Sequence, residues 1–201
     1  MNEVQKRRIK TVLKYTWPFY IVAALLIGFL MSFIFGITHR LPAYKTMTLF
    51  VSGVANNADQ LREDTLEKFK DKELKSFSCY YADPSVNEQN YYTKLSVVGY
   101  HSADVLVIPS SVLEIINAAA FAINIDDELY NSYYQGFSKY ILNDKAYGIE
   151  IDPEKVKPYF YLPNETCYMF LNATSQNIGQ YSTEAVKEHD NALRVVQDWG
   201  K

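Results

Sequence analysis

Two serines close the stretch "SADVLVIPSSV" (Ser102–Val112), and their type and position are the first sign of chemistry in this sequence. Val105 to Pro109 is an unbroken apolar run, which reads as a strand covered on both faces, as in a parallel sheet. Ser110 and Ser111 then stand at its carboxyl end, where open α/β sheets collect ligands. Two other expected strands end in the same way, "YKTMTLFVSG" at Ser52-Gly53 and "SFSCYYAD" at Ala82-Asp83. Hydroxyls, an open glycine backbone and one carboxylate suit hydrogen bonding to a small polar ligand. Tyr80, Tyr81 or Tyr147 would offer a ring for stacking. The expected ligand-binding set is therefore Ser52, Gly53, Asp83, Ser110, Ser111, Tyr80, Tyr81 and Tyr147. A plainer reading competes with it: strands end in turns, and Gly, Asp, Pro and Ser make turns.

Catalysis has less support. The histidines are His39, His101 and His189. His101 precedes the third strand, at the opposite end from Ser110, so it is badly placed as a base for a serine nucleophile. "SGVANNA" after the first strand has neither GxGxxG spacing nor a P-loop lysine. CxxC, HExxH and His–Cys clusters are absent from the sequence, so no metal site is expected. Acid pairs such as Asp126-Asp127 and Glu184/Glu188 read as solvated faces. The expectation is a protein that is not an enzyme and carries no cofactor.

The elements that would position the serines alternate. A strand ending at Gly53 is followed by a helix in "NNADQLREDTLEKFKDKELK", with Asn57 as N-cap and Gln60 three residues on. "SFSCYYAD" is a strand, "NEQNYYTKLSVVGY" a helix and "ADVLVIPSS" the third strand. This β-α-β-α-β order predicts a parallel sheet with right-handed crossovers. Farther on, "SVLEIINAAAFA" predicts a short helix, "DDELYNSYYQGFSKYILND" gives mixed turn and helix signals, and "KAYGIEI" and "ETCYMFLNA" predict strands. "TEAVKEHDNALRVVQDWG" predicts a last amphipathic helix with Ala185, His189, Ala192, Leu193, Val196 and Trp199 along one side.

Ahead of these lies "WPFYIVAALLIGFLMSFIFGI", Trp17 to Ile37, free of charge over about the length that spans a bilayer. Lys6, Arg7, Arg8, Lys10 and Lys14 precede it against Glu3, so the positive-inside rule puts residues 1–16 in the cytoplasm and the rest outside. No small-x-small cleavage site follows, which favours an uncleaved signal anchor over a signal peptide. From Leu41 onward 14 Lys and Arg face 22 Asp and Glu, a charge of −8 within the overall −3. So acidic a region is unsuited to nucleic acid or to an anionic lipid surface. Seventeen tyrosines would fill half-buried positions or offer sugar-stacking surfaces. Cys79 and Cys167 fall in separate expected strands, and free buried thiols are expected rather than a disulfide. Asn164-Glu-Thr166 and Asn172-Ala-Thr174 match the glycosylation sequon.

"TLFVSG…LEKFKDK…SFSCYYAD…YYTKLSVVGYHSADVLVIPSSVLE" resembles the opening lobe of the extracellular solute-binding proteins of ABC transporters. "FSKYILNDKAYGIEI" resembles the family's passage toward its second lobe. "CYMFLNATSQNIGQY…HDNALRVVQDW" is similar to the strand and helix that return from it. Only about 30 residues separate Ile151 from Gln180, so the second lobe is missing. The resemblance implies an α/β fold: an N-terminal transmembrane helix, then one periplasmic-binding-protein-like lobe with a mostly parallel sheet flanked by helices. The division expected is a basic tail (1–16), a signal anchor (17–38), a linker (39–45) and an extracytoplasmic domain (46–201). The implied function is a bacterial, membrane-anchored solute-binding module accessory to a transporter permease for a small polar solute. The alternative is an envelope scaffold that has lost solute binding and meets another envelope protein or a second copy of itself.

Overall fold

The computed structural model describes residues 3–38, 41–181 and 189–201. The chain divides into two compact units, Met1–Leu41 and Pro42–Lys201. The first is helix α1 (Glu3–Thr38), within which Lys14–Gly36 is long and apolar enough to cross a membrane. Its large apolar side chains, such as Leu25 and Phe29, are exposed.

The second unit is a mixed α/β domain around a six-stranded sheet. The strands are β1 (Thr46–Ser52), β3 (Ser76–Ala82), β4 (Val105–Pro109), β5 (Lys139–Leu142), β6 (Lys145–Glu150) and β8 (Cys167–Leu171). They lie in the order β3-β1-β4-β8-β6-β5. β1 pairs in parallel with both β3 and β4, while β8 runs antiparallel between β4 and β6. With β5 antiparallel to β6, four of the six strands point one way. A second ribbon, β2 (Val54–Ala55) with β7 (Phe160–Tyr161), was not anticipated in the sequence.

Every residue of β4 is buried, as its unbroken apolar run requires of a strand with helices on both faces. α2 (Ala58–Lys68) makes the crossover from β1 to β3. The Gln60 backbone N–H donates to Asn57 Oδ1 at 3.2 Å, the N-cap expected there, while Asn57 Nδ2 donates to Gln60 Oε1 and the Asn57 backbone N–H goes instead to Tyr159 O. The helix stops short of the expected Lys75, because Phe69 and Leu74 turn inward and Glu73 takes φ 61° to reverse the chain. α3 (Glu88–Lys94), capped by Asn87, continues through a π turn (Leu95–Gly99) into Tyr100–Ser102 and leads to β4.

The predicted helix over 111–122 is shorter than its pattern. α4 (Ser110–Leu113) ends within a turn, and Asn117 then caps a separate 3-10 turn at Ala118–Ala120. Asn competes for backbone donors and so breaks the helical run. The last helix, α5 (Asn191–Trp199), starts later than expected. His189 lies ahead of it and stacks on Tyr44, with ring centroids 4.2 Å apart. His39, Glu184, Ala185 and Glu188 lie outside the described residues.

Two cores result. Met47, Leu49, Val51, Val105 and Val107 share one face of the sheet with Leu61, Leu193 and Val196. Phe50, Leu106, Ile108 and Phe170 share the other with Tyr91, Leu95 and Val112. The alternation along β1 and β4 assigns each residue to its face. Gly148 of β6 lets the sheet close, since a Cβ there would stand 2.8 Å from the Phe170 ring. Cys79 and Cys167 are free, in strands separated by β1 and β4. Burial pushes both thiols up to about 12.

Candidate functional site

β1, β3 and β4 run parallel, so Ser52, Ala82 and Pro109 end at one edge of the sheet, as the sequence implies. The polar groups gathered there are largely satisfied by the chain itself. Ser52 is fully buried and its hydroxyl shares a 2.7 Å hydrogen bond with the Tyr91 hydroxyl. Burial raises the Tyr91 phenol well above its ordinary value, so this pair is two neutral hydroxyls inside the second core. Gly53 is closed too: its N–H donates to Ala82 O, and a Cβ there would come within 2.3 Å of Tyr161 O in β7. Glycine is needed because the ribbon crosses directly over it.

Ser110 and Ser111 meet a partner that the sequence reading did not name. β8 pairs with β4 so that Pro109 faces Cys167. Continuing that register past the strand brings Thr166 beside Ser110 and Glu165 beside Ser111. Ser110 N donates to Thr166 O at 2.9 Å. Glu165 then accepts three hydrogen bonds, from Ser110 Oγ at 2.7 Å, Ser111 N at 2.8 Å and Ser111 Oγ at 2.8 Å. Partial burial pushes its carboxyl up, but these donors outweigh that and hold it below the ordinary value of 4.5. The serines thus serve a carboxylate clasp between α4 and the segment leading into β8.

Of the expected set, Gly53, Tyr81 and Asp83 do come together. They line a cavity of about 220 Å³ with Asn87, Asn90 and Lys94. Ligand pockets usually start near about 300 Å³, so this one is below the usual size. Its polar groups are also committed in part. Asp83 Oδ1 accepts from Ser85 N at 2.8 Å and Ser85 Oγ at 2.6 Å, a turn-forming arrangement. Asn87 Oδ1 caps α3 through Asn90 N. Tyr80 is 46% exposed on β3, away from this cavity, and Tyr147 is half-buried against the second core. Larger clefts of about 750 Å³, beside Lys72, Tyr133, Asp190 and Arg194, and of about 490 Å³, beside Tyr100 and Phe121, are lined by none of the expected residues.

A second carboxylate was also missed. Asp104 opens β4 at the other end of the sheet and is 8% exposed. It accepts hydrogen bonds from Thr48 N at 2.7 Å, Asn177 Nδ2 at 3.1 Å and Ser175 Oγ. Burial pushes its carboxyl above the ordinary range despite those donors. Nearby Asn172 is 1% exposed, and its amide donates to Tyr100 O at 3.0 Å. That sequon is therefore closed by packing, whereas Asn164 is exposed. Among the described residues no three His, Cys, Asp or Glu side chains cluster as a metal site would require.

No family model and no curated protein matches the chain. Among solved structures, it is similar to the maltose/maltodextrin-binding domain MalE from Bdellovibrio bacteriovorus bound to maltotriose. The identity is 15% and the TM-score 0.38, over 53% of this chain and 28% of that one. The matched part spans little more than a quarter of that protein. So distant a likeness says nothing of what this chain binds.

Proposed function

We propose that the chain is a membrane-anchored, non-catalytic interaction module, held outside the cytoplasm by α1, that recognises protein rather than solute. The observation carrying this reading is the Glu165 clasp. A polar solute at the strand ends would have to displace a carboxylate from three hydrogen bonds and offer donors and acceptors of its own in the same places. The buried Ser52–Tyr91 pair and the small volume beside Gly53 point the same way. Orientation rests on the basic flank of α1. The base that does face the serines, Glu165, has its carboxyl held below the ordinary value, which makes it a weak proton acceptor and supports a non-catalytic role.

A second reading is favoured by the cavity that gathers Gly53, Tyr81 and Asp83. In it the domain is a solute-binding accessory of an ABC transporter permease. Purification of the tagged full-length protein from its own membranes in mild detergent, with mass spectrometry of what accompanies it, separates the two. Envelope proteins unrelated to transport are the expected result. Recovery of a permease with its ATPase, together with a melting shift on adding a solute that Asp83→Ala abolishes, would establish the second reading instead.

A further inference from the structure

The two edges of the sheet are unlike. The β5 edge is short, carries Lys139 and breaks register at a bulge between Tyr140 and Ile141. Such features blunt an edge against pairing with other chains. The β3 edge has none of them. "SFSCYYA" is seven residues long, has no charge and no proline, and keeps unbroken register with β1 throughout. Its outer face shows exposed Ser78 and Tyr80. Along its outer edge, the side away from β1, the hydrogen bond that reaches its backbone among the described residues is a long one, Lys94 Nζ to Tyr81 O at 3.5 Å. A regular, uncharged, open strand is a template for strand addition.

We infer that β3 pairs antiparallel with β3 of a second copy, joining two six-stranded sheets into one. The sequence around the strand singles out a second copy as the occupant. Lys75 and Asp83 flank β3 at equal distances from Cys79. An antiparallel self-pair centred on Cys79 therefore sets each Lys75 opposite the second copy's Asp83, twice per dimer. Within the pair Ser76 faces Ala82, Phe77 faces Tyr81 and Ser78 faces Tyr80, so no like charges meet. Lys75 is exposed and forms no ion pair among the described residues, and Asp83 uses Oδ1 on Ser85, leaving Oδ2 for a cation. A seven-residue strand pair is a small interface, and attachment of both copies to one membrane would raise their effective concentration. This pairing deepens the interaction reading above and rests on it.

The test uses the full-length protein in membranes, in a Cys79→Ser background with two differently tagged copies. Directly opposed residues bring Cβ atoms within disulfide reach, and diagonal ones do not. Under mild oxidation Ser78→Cys in one copy should link to Tyr80→Cys in the other about tenfold more than either variant links to itself. Lys75→Glu should cut that yield about tenfold, and adding Asp83→Lys in the same chain should restore it. Absence of links, equal yields for all pairings, links to a protein of different mass, or a Lys75→Glu loss that the second change does not rescue would each overturn self-pairing. If an envelope protein still co-purifies when self-pairing fails, the interaction reading stands without it. If links form as expected and no partner co-purifies, the second copy is itself the partner.

Discussion

Asp104 and Glu165 sit at opposite ends of the sheet's central strands and have the same chemistry. Each is a carboxylate held by three hydrogen bonds, one from a backbone N–H and at least one from a serine hydroxyl. Their protonation is nevertheless displaced in opposite directions. At Asp104 burial wins and the carboxyl is raised; at Glu165 the hydrogen bonds win and it is lowered. The difference is solvent. Asp104 is closed in by Thr48, Ser175 and Asn177, whereas Glu165 keeps one side open to water and loses less hydration. The buried carboxylate braces the fold, and the half-buried one occupies the edge that the sequence offers as a ligand site.

That contrast is broken most severely by removing the buried member. Asp104→Ala should cost about 3 kcal/mol or more, because it leaves the Thr48 amide, the Ser175 hydroxyl and the Asn177 amide buried without their acceptor. The loss spreads, since Asn177 Nδ2 also holds Thr46 O at 2.8 Å and Asn191 donates to Asn177 Oδ1. Asp104→Asn should cost less, as one carbonyl oxygen remains. Urea denaturation of the full chain in detergent measures both. An alanine variant no less stable than the asparagine one would mean that those donors find water.

How much of this was legible beforehand differs between the two ends. The α/β class, β1, β3 and β4, the Asn57 cap and the burial of Val105–Pro109 follow from local pattern, because period and capping are written in neighbouring residues. The convergence of Ser52, Ala82-Asp83 and Ser110-Ser111 on one edge followed as well, from parallel order alone. Glu165 could not be placed on that edge in the same way. It stands 54 residues from Ser111, and only the antiparallel register of β8 against β4 brings them together. Its position inside a sequon drew attention to Asn164 instead. Asp104 left a signal that went unused: a carboxylate immediately ahead of five apolar residues has to be either a turn residue or a paired buried group. The β2–β7 ribbon was invisible because two-residue strands carry no periodicity.

The half-buried member should be cheaper to remove. Glu165→Ala should cost about 1 kcal/mol, since Ser110, Ser111 and the start of α4 can turn to water for their lost acceptor. It should matter more for access than for stability. With the carboxylate gone, both hydroxyls and the Ser111 N–H face solvent at the strand ends. If the clasp is what excludes solutes, the variant alone should show a melting shift with small polar solutes, among which carboxylates that mimic Glu165 are the first to try. A shift of the same size in the unmodified protein would show that Glu165 was never a barrier and would favour the solute-binding reading.

The finest distinction is one of sign, read from the acid side of the stability curve. Glu165 is lowered from 4.5, so its contribution is complete above that value and drains away as pH falls through its lower folded value. Asp104 is raised from 3.8, so the folded state holds its proton more tightly than the unfolded chain does. Its titration favours folding fully below 3.8, and that part is lost as pH rises through the higher folded value. Compared with Glu165→Gln, the unmodified protein should therefore lose its advantage on acidification. Compared with Asp104→Asn, it should gain ground over the same interval. Each slope is below about 1.4 kcal/mol per pH unit, the limit for one proton. Parallel denaturation series from neutral pH to acid resolve them, because only the difference between each variant and the parent is read and all other carboxylates cancel. Slopes of equal sign would show that water reaches both carboxylates alike, and that burial does not separate the two ends of the sheet.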